Sequence, residues 1–409
     1  MNKNKSNNAE KWFISKSTKS FACTIALLVF CVQGCTRQDN KTTTTTKVTT
    51  QESPALLSDM KERAAILAAA LGKPRRLLIG LGSQTIESIQ AQQLKPDIYD
   101  QYINRVGKNS WINWNTPQGS YIQIVTKNAD ALGAVPMFTL YQMASLGDGN
   151  ISGVSDPYFM QQYWNNVRIL YRELKAYDKP ALVNFEPDFW GYTQRQFGDP
   201  ANHFVHVNTD NPDCADQPNN MIGFGHCLLD MARSLAPKAY VGFPPSLFPD
   251  VAATELSYMK LIGAGKGDFV VMQTSDRDAG CFESRYTGQG AGCDRSDGPT
   301  HSWDYSNQSE PNFTTHLAMA RQYFKEIQKP LIWWQTPLGV PSPNRGGRPG
   351  FFRDNKMDYF LTHPEELVAA GAVGIVFSSG HTTQTNLETD QGQFKRLSEK
   401  YLKNPVHFK

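Results

Sequence analysis

Eight short apolar runs, each followed by a longer stretch of helical character, constrain this 409-residue chain more than any other feature. The runs are Arg76–Gly82, Tyr99–Val106, Val135–Gln142, Ala181–Glu186, Ala239–Phe243, Asp268–Ser275, Leu331–Thr336 and Ala372–Ser378. Between them the apolar spacing predicts helices over Gln118–Leu132, Asp156–Tyr177, Met221–Leu235, Ala252–Ile262, Thr314–Ile327, Met357–Ala370 and Gly392–Leu402. Asp156-Pro157 reads as an N-cap with proline in the first turn, and Lys179-Pro180 and Lys329-Pro330 stop helices just ahead of strands. Eight strands alternating with helices predict an α/β fold of the (β/α)8 TIM barrel type, a single large domain. An open doubly wound sheet is the alternative. It would carry a glycine-rich phosphate turn opening a helix, and Gly80-Leu81-Gly82-Ser83 lacks the third glycine. Tyr99–Val106 is the least apolar of the runs.

The chain ahead of the barrel is not expected to belong to it. A basic lead (Lys3, Lys5, Lys11, Lys16 and Lys19) precedes the apolar segment Phe21–Val32, which is too short to span a bilayer as a helix. The segment ends in Val32-Gln33-Gly34-Cys35, which resembles a bacterial lipoprotein signal. That resemblance implies a signal peptide over 1–34, a lipid on Cys35 that holds the protein to a membrane, and a place in the cell envelope, either at the outer membrane or facing the periplasm. A plain secretory signal, with release outside the cell, is the alternative. Residues 35–54, with a five-threonine run, bury too little to offset their ordering entropy and read as a tether, leaving 55–409 as the domain.

Residues 1–34 hold five Lys and one Glu. Without them 36 basic residues stand against 37 acidic, a net of −1. Neither a nucleic-acid partner nor a polybasic membrane surface is indicated. Many aromatics and few charges suit a neutral polar ligand. No cofactor is expected, and a monomer is. Four cysteines lie beyond the leader, and in an exported chain they predict disulfides. Proximity favours Cys214–Cys227 and Cys281–Cys293. A metal site with His203, His206 or His226 is the competing reading, and its spacing matches no zinc pattern. Asp148–Gly153 has the front half of a calcium loop but Phe159 where the bidentate Glu belongs, so a glycine-rich turn is expected.

In a barrel of this kind chemistry sits at the carboxyl ends of the strands. The fourth run ends in Asn184-Phe185-Glu186-Pro187-Asp188, the sixth in Thr274-Ser275-Asp276-Arg277-Asp278, the seventh in Trp333-Trp334-Gln335 and the third in Tyr141. Alternation puts Glu186 on the same face as Asn184, Trp333 with Gln335, Thr139 with Tyr141, and Gly80 and Gly82 toward the axis. Glycoside hydrolysis uses two carboxyl groups. Glu186 is the expected acid, its proton retained by crowding from Phe189 and Trp190. Asp276 or Asp278 is the expected base or nucleophile, unless Arg277 uses them as anchors. Asp188, Asn184, Tyr141 and Gln335 are expected to hydrogen-bond a sugar. Trp190, Trp333 and Trp334 are expected to stack on it, or else to pack in the core. Trp111 and Trp114 are further rim candidates.

Asn184-Phe185-Glu186-Pro187 is similar to the Asn-Glu-Pro motif that ends strand four in the large retaining clan of (β/α)8 glycoside hydrolases. That clan's nucleophile is a Glu ending strand seven, where this chain has Gln335. The segments VPMFTLYQMA, NFEPDFWGY, TSDRDAGCFE and WWQTPLGVPS also resemble a family of exported bacterial proteins with glycosidase-like barrels. The resemblance implies a barrel that hydrolyses glycosidic bonds in a polysaccharide or oligosaccharide. The departure at Gln335 implies a displaced second carboxylate, an inverting reaction, or a site that binds carbohydrate without cleaving it.

Overall fold

The computed structural model describes residues 53–274, 278–288, 293, 302–380 and 383–408. Within them a ring of eight parallel strands closes on itself. The strands are β1 (Leu78–Gly82), β2 (Ile98–Asn104), β3 (Val135–Tyr141), β4 (Ala181–Phe185), β5 (Ala239–Phe243), β6 (Phe269–Gln273), β7 (Leu331–Pro337) and β10 (Ala372–Ser378). β1 closes the ring against β10 in register Leu78↔Gly374 through Gly82↔Ser378. Two short strands in the connection after β7, β8 (Gly347–Arg348) and β9 (Phe351–Phe352), form an antiparallel hairpin outside the barrel. This is the TIM barrel that the alternation predicts.

The helices that matter for the site are α1 (Pro54–Ala70), α2 (Ile86–Ala91), α3 (Ser120–Leu132), α4 (Pro157–Tyr177), α5 (Phe189–Phe197), α6 (Met221–Leu235), α7 (Ala252–Leu261), α8 (Ala279–Thr287) and α9 (Phe313–Ile327). Asp156 caps α4 by accepting from the backbone N–H groups of Tyr158 and Phe159 at 2.9 and 3.2 Å, and Pro157 costs nothing there because its missing N–H would have no intrahelical partner. The predicted Met357–Ala370 helix is two, α10 (Lys356–Thr362) and α11 (Pro364–Val368). Pro364 has no N–H to continue the ladder.

Four helices went unforeseen, among them the short α2 between β1 and β2. α1 begins where the tether was expected to end, with Ser53 accepting from Leu56 N at 3.3 Å, and it buries Met60, Ala64, Leu67 and Ala68. α5 starts three residues after β4, and α8 follows β6. Both occupy stretches read from sequence as loops rich in site residues.

Both expected disulfides are formed. Cys214–Cys227 ties the turn ahead of α6 to the helix itself, and Cys281–Cys293 anchors α8. The Asn211 amide lies over the first pair, 3.4 Å from Cys214 Sγ and 3.2 Å from Cys227 Sγ. A 13-residue separation limits the unfolded chain modestly. Cys214→Ala with Cys227→Ala is therefore expected to lower stability by about 2–4 kcal/mol, read as a lower urea midpoint with an intact far-UV spectrum at low denaturant.

Candidate functional site

The polar character of β2 has a structural reason. Asp100 is fully buried inside the ring, where Oδ1 accepts from Thr139 Oγ1 of β3 at 2.9 Å and Oδ2 accepts from Trp334 Nε1 of β7 at 3.1 Å. Burial pushes its pKa up to about 7, against the two hydrogen bonds that favour the anion. Asn184 of β4 reaches Thr139 Oγ1 at 3.5 Å. Gly82 of β1 faces the same cluster: a Cβ there would lie 2.9 Å from Asp100 Oδ2 and 2.5 Å from Ser378 Oγ. The oxygens Asn184 Oδ1 and Ser378 Oγ are buried and complete no hydrogen bond of their own. The floor of the barrel is thus a polar layer.

Above it stand the partly exposed Tyr102, Tyr141 and Gln335, packed on the buried Trp334. Tyr102 lies 5.9 Å from Tyr141 and 5.8 Å from Trp334 between ring centroids, and Gln335 Nε2 donates to the Tyr102 hydroxyl. Tyr141 donates its hydroxyl to Asp148 Oδ1 at 2.6 Å, so the glycine-rich turn supplies an anchor for a mouth residue. Asp188 also acts on Tyr141 electrostatically, and it accepts from Gln273 Nε2 of β6 at 3.3 Å. Asp188 is half-buried. It therefore sits between the ends of β3 and β6. Asp278, at the start of α8, is buried, and its Oδ1 lies where a Cβ on Gly380 would come within 2.6 Å, just past the end of β10. Asp276 falls outside the described residues.

Glu186 is not at the mouth. Its φ of +50° takes it out of the strand's alternation, so it does not follow Asn184 inward. Its Oε1 accepts from Gln142 N at 3.2 Å and its Oε2 from Met143 N at 3.0 Å. The Tyr163 hydroxyl of α4 faces the same carboxyl without completing a sound hydrogen bond. Glu186 is 0 % exposed, in the seam between the β3 end and the helical shell. Burial raises its pKa to about 8, outweighing the two backbone donors. The expected proton retention is present, but it comes from enclosure, and the group is withdrawn from the hollow it was expected to serve.

All three expected stacking tryptophans are buried in the core, Trp334 at 2 % exposure. Trp190 packs among Phe189, Phe224 and Phe243 and donates to Phe185 O at 2.8 Å. Trp333 points outward and donates to His316 Nε2 of α9 at 2.8 Å. Burial holds His316 at a pKa of about 3, which keeps that nitrogen free to accept. Only Trp334 faces the interior. Gln335 joins it there rather than Trp333, because φ of +51° at Gln335 breaks the alternation of β7. Trp111 is fully buried, whereas Trp114 is 43 % exposed. Asp100 and Tyr102 are the site residues that strand-end reading missed. Their signal was the alternation of polar residues at 100, 102 and 104 within β2.

No family model matches the chain, and no curated protein does. Among solved structures the chain is similar to a ruminal GH26 endo-β-1,4-mannanase, at 10 % identity and a TM-score of 0.44, over 82 % of this chain and 66 % of that one, so it spans just under two thirds of that enzyme's length. It is similar to a GH26 β-mannanase from Bacteroides ovatus at 9 % identity and a TM-score of 0.45, over 84 % of this chain and 92 % of that one. It is also similar to a D-allulose 3-epimerase from Methylomonas sp. at 9 % identity and a TM-score of 0.41, over 80 % and 98 %. The (β/α)8 architecture rests on the closed ring of strands itself, and this barrel hosts many chemistries.

The enclosed Glu186 sets a pH dependence. Between 4.5 and about 8 the unfolded chain gives up this proton while the folded chain keeps it. The folded state binds more protons, so its stability falls as pH rises through that window and is fully present only below it. Asp100 acts likewise between 3.8 and about 7. Glu186→Gln is expected to flatten the decline of the urea midpoint between pH 5 and 8. An unchanged slope would mean that the carboxyl ionises alike in both states.

Proposed function

We propose that this barrel hydrolyses glycosidic bonds in a neutral polysaccharide or oligosaccharide, as a monomeric lipoprotein held at the cell envelope through Cys35. The observation that carries the reading is the placement of Asp188: a half-buried carboxylate residue at the strand ends, hydrogen-bonded by the Gln273 amide and acting on Tyr141, near the partly exposed rings of Tyr102 and Tyr141. Aromatic faces meet the C–H faces of a sugar ring, and amides meet its hydroxyls. Asp278, itself buried at the start of α8, is the proposed second carboxyl in place of Glu186. One of the two protonates the leaving oxygen as the C–O bond breaks, and the other takes a proton from the attacking water. Asn184, Tyr141 and Gln335 orient the substrate. Asp100 is a positioning residue, since both its oxygens are spent on Thr139 and Trp334.

Asp188→Asn and Asp278→Asn, assayed for reducing-sugar release on a panel of neutral glycans, are each expected to lower turnover by roughly 10²–10⁴-fold. Full turnover in both variants would remove the pair. The second reading is a carbohydrate-binding barrel without catalysis. The amide of Gln335 in place of a strand-seven carboxylate and the enclosure of Glu186 favour it. Glycan binding without sugar release from the wild-type chain would select it. The anchor has its own test: Cys35→Ser is expected to abolish fatty-acid labelling and move the protein out of the membrane fraction, and unaltered labelling would contradict lipidation at that position.

A further inference from the structure

A second hollow, of about 460 Å³, opens on the outer side of β2, within the roughly 300–1,000 Å³ of small-molecule sites. Its origin lies in the shell. α2 has six residues and is about 9 Å long, whereas the seven residues of β2 extend over about 23 Å. The helix leaves part of the strand's outer face uncovered. The outward residues of β2, Tyr99 and Gln101, form the back wall, and Trp114, Tyr121 and Asn128 form the far side. Tyr102 lines this hollow, and its ring also meets that of Tyr141 at the end of β3.

We propose that this hollow is an accessory subsite that holds a neutral sugar unit of a glycan whose chain runs from the barrel mouth over Tyr102; the inference rests on the carbohydrate reading above. The Trp114 indole N–H is committed to Asn109 O at 3.2 Å, and its edge-on contact with Tyr121 at 5.0 Å fixes the ring. What the exposed ring offers is therefore its face, which suits the C–H side of a pyranose. Gln101 spends its amide N–H on Gln84 O at 2.9 Å, which leaves its carbonyl oxygen as an acceptor for a hydroxyl. Among the described residues no Lys, Arg or His lines the hollow, and Glu87 does. A phosphorylated, sulfated or uronic ligand would find no counter-charge and would meet a carboxylate. The geometry thus selects an uncharged polyol.

The test measures binding of the mature chain to uncharged manno-, xylo- and gluco-oligosaccharides, from disaccharides upward, by titration calorimetry. Trp114→Ala and Tyr121→Ala are expected to weaken binding of the longer oligosaccharides about tenfold or more and to leave disaccharide binding unchanged. A longer oligosaccharide is also expected to shield Trp114 from acrylamide quenching, read as the difference between the wild type and Trp114→Phe. Equal affinities at every length in both variants would overturn the subsite while leaving the mouth intact. Loss at Trp114 with none in Gln335→Ala would retain the subsite and remove the mouth reading. A wild-type chain that binds none of the panel would overturn both.

Discussion

The inversion of the backbone at Glu186 governs how the rest of the site is built. A left-handed φ on a residue other than glycine costs of order 1–2 kcal/mol. What offsets it is visible in the partners: the backbone N–H groups of Gln142 and Met143 open a short 3₁₀ turn, Met143–Leu146, and would otherwise be buried donors without acceptors. The carboxyl of β4 thus caps the turn that follows β3 and locks two neighbouring loops together. A strand-end glutamate expected from sequence to be catalytic is enclosed here and joins these two loops.

The same device recurs at Gln335, whose positive φ brings two successive residues of β7, Trp334 and Gln335, to the interior side. The two inversions reshape the mouth in opposite senses. One withdraws a carboxyl and the other adds an amide. Left at the strand ends are Asp188 and Asp278, with a buried Asp100 beneath them whose hydrogen bonds fix Thr139 and Trp334. The mouth and the hollow beside β2 both pair aromatic surface with amide and hydroxyl groups, and Tyr102 belongs to both.

Barrel closure was legible because it rests on patterns that survive averaging over a segment: eight apolar runs, helix-length connections, and turn residues at their borders. Met221–Leu235 and Ala372–Ser378 coincide with their predicted bounds. The disulfide pairs were legible from proximity. Side-chain direction at the strand ends was not, because alternation is a property of regular strand, and Glu186 and Gln335 both lie where it stops. A single left-handed residue reverses such an expectation, and nothing in the residue types Glu and Gln announces it. Gly80 and Gly82, deeper in β1, point inward as alternation requires, since their Cβ positions would meet Val376 and Asp100. Asp100 was overlooked for a different reason: its polarity weakened the strand assignment, although that polarity marks its place in the site.

The most direct measurement of this account is the titration of the Glu186 carboxyl by carbon-13 NMR on glutamate-labelled protein, assigned by the resonance lost in Glu186→Gln. The account predicts a midpoint near 8 that does not move when a saturating oligosaccharide is added, because the group is enclosed behind Gln142, Met143 and Tyr163. A midpoint near the ordinary 4.5, or one displaced by the sugar, would place Glu186 in the mouth after all and contradict its enclosure.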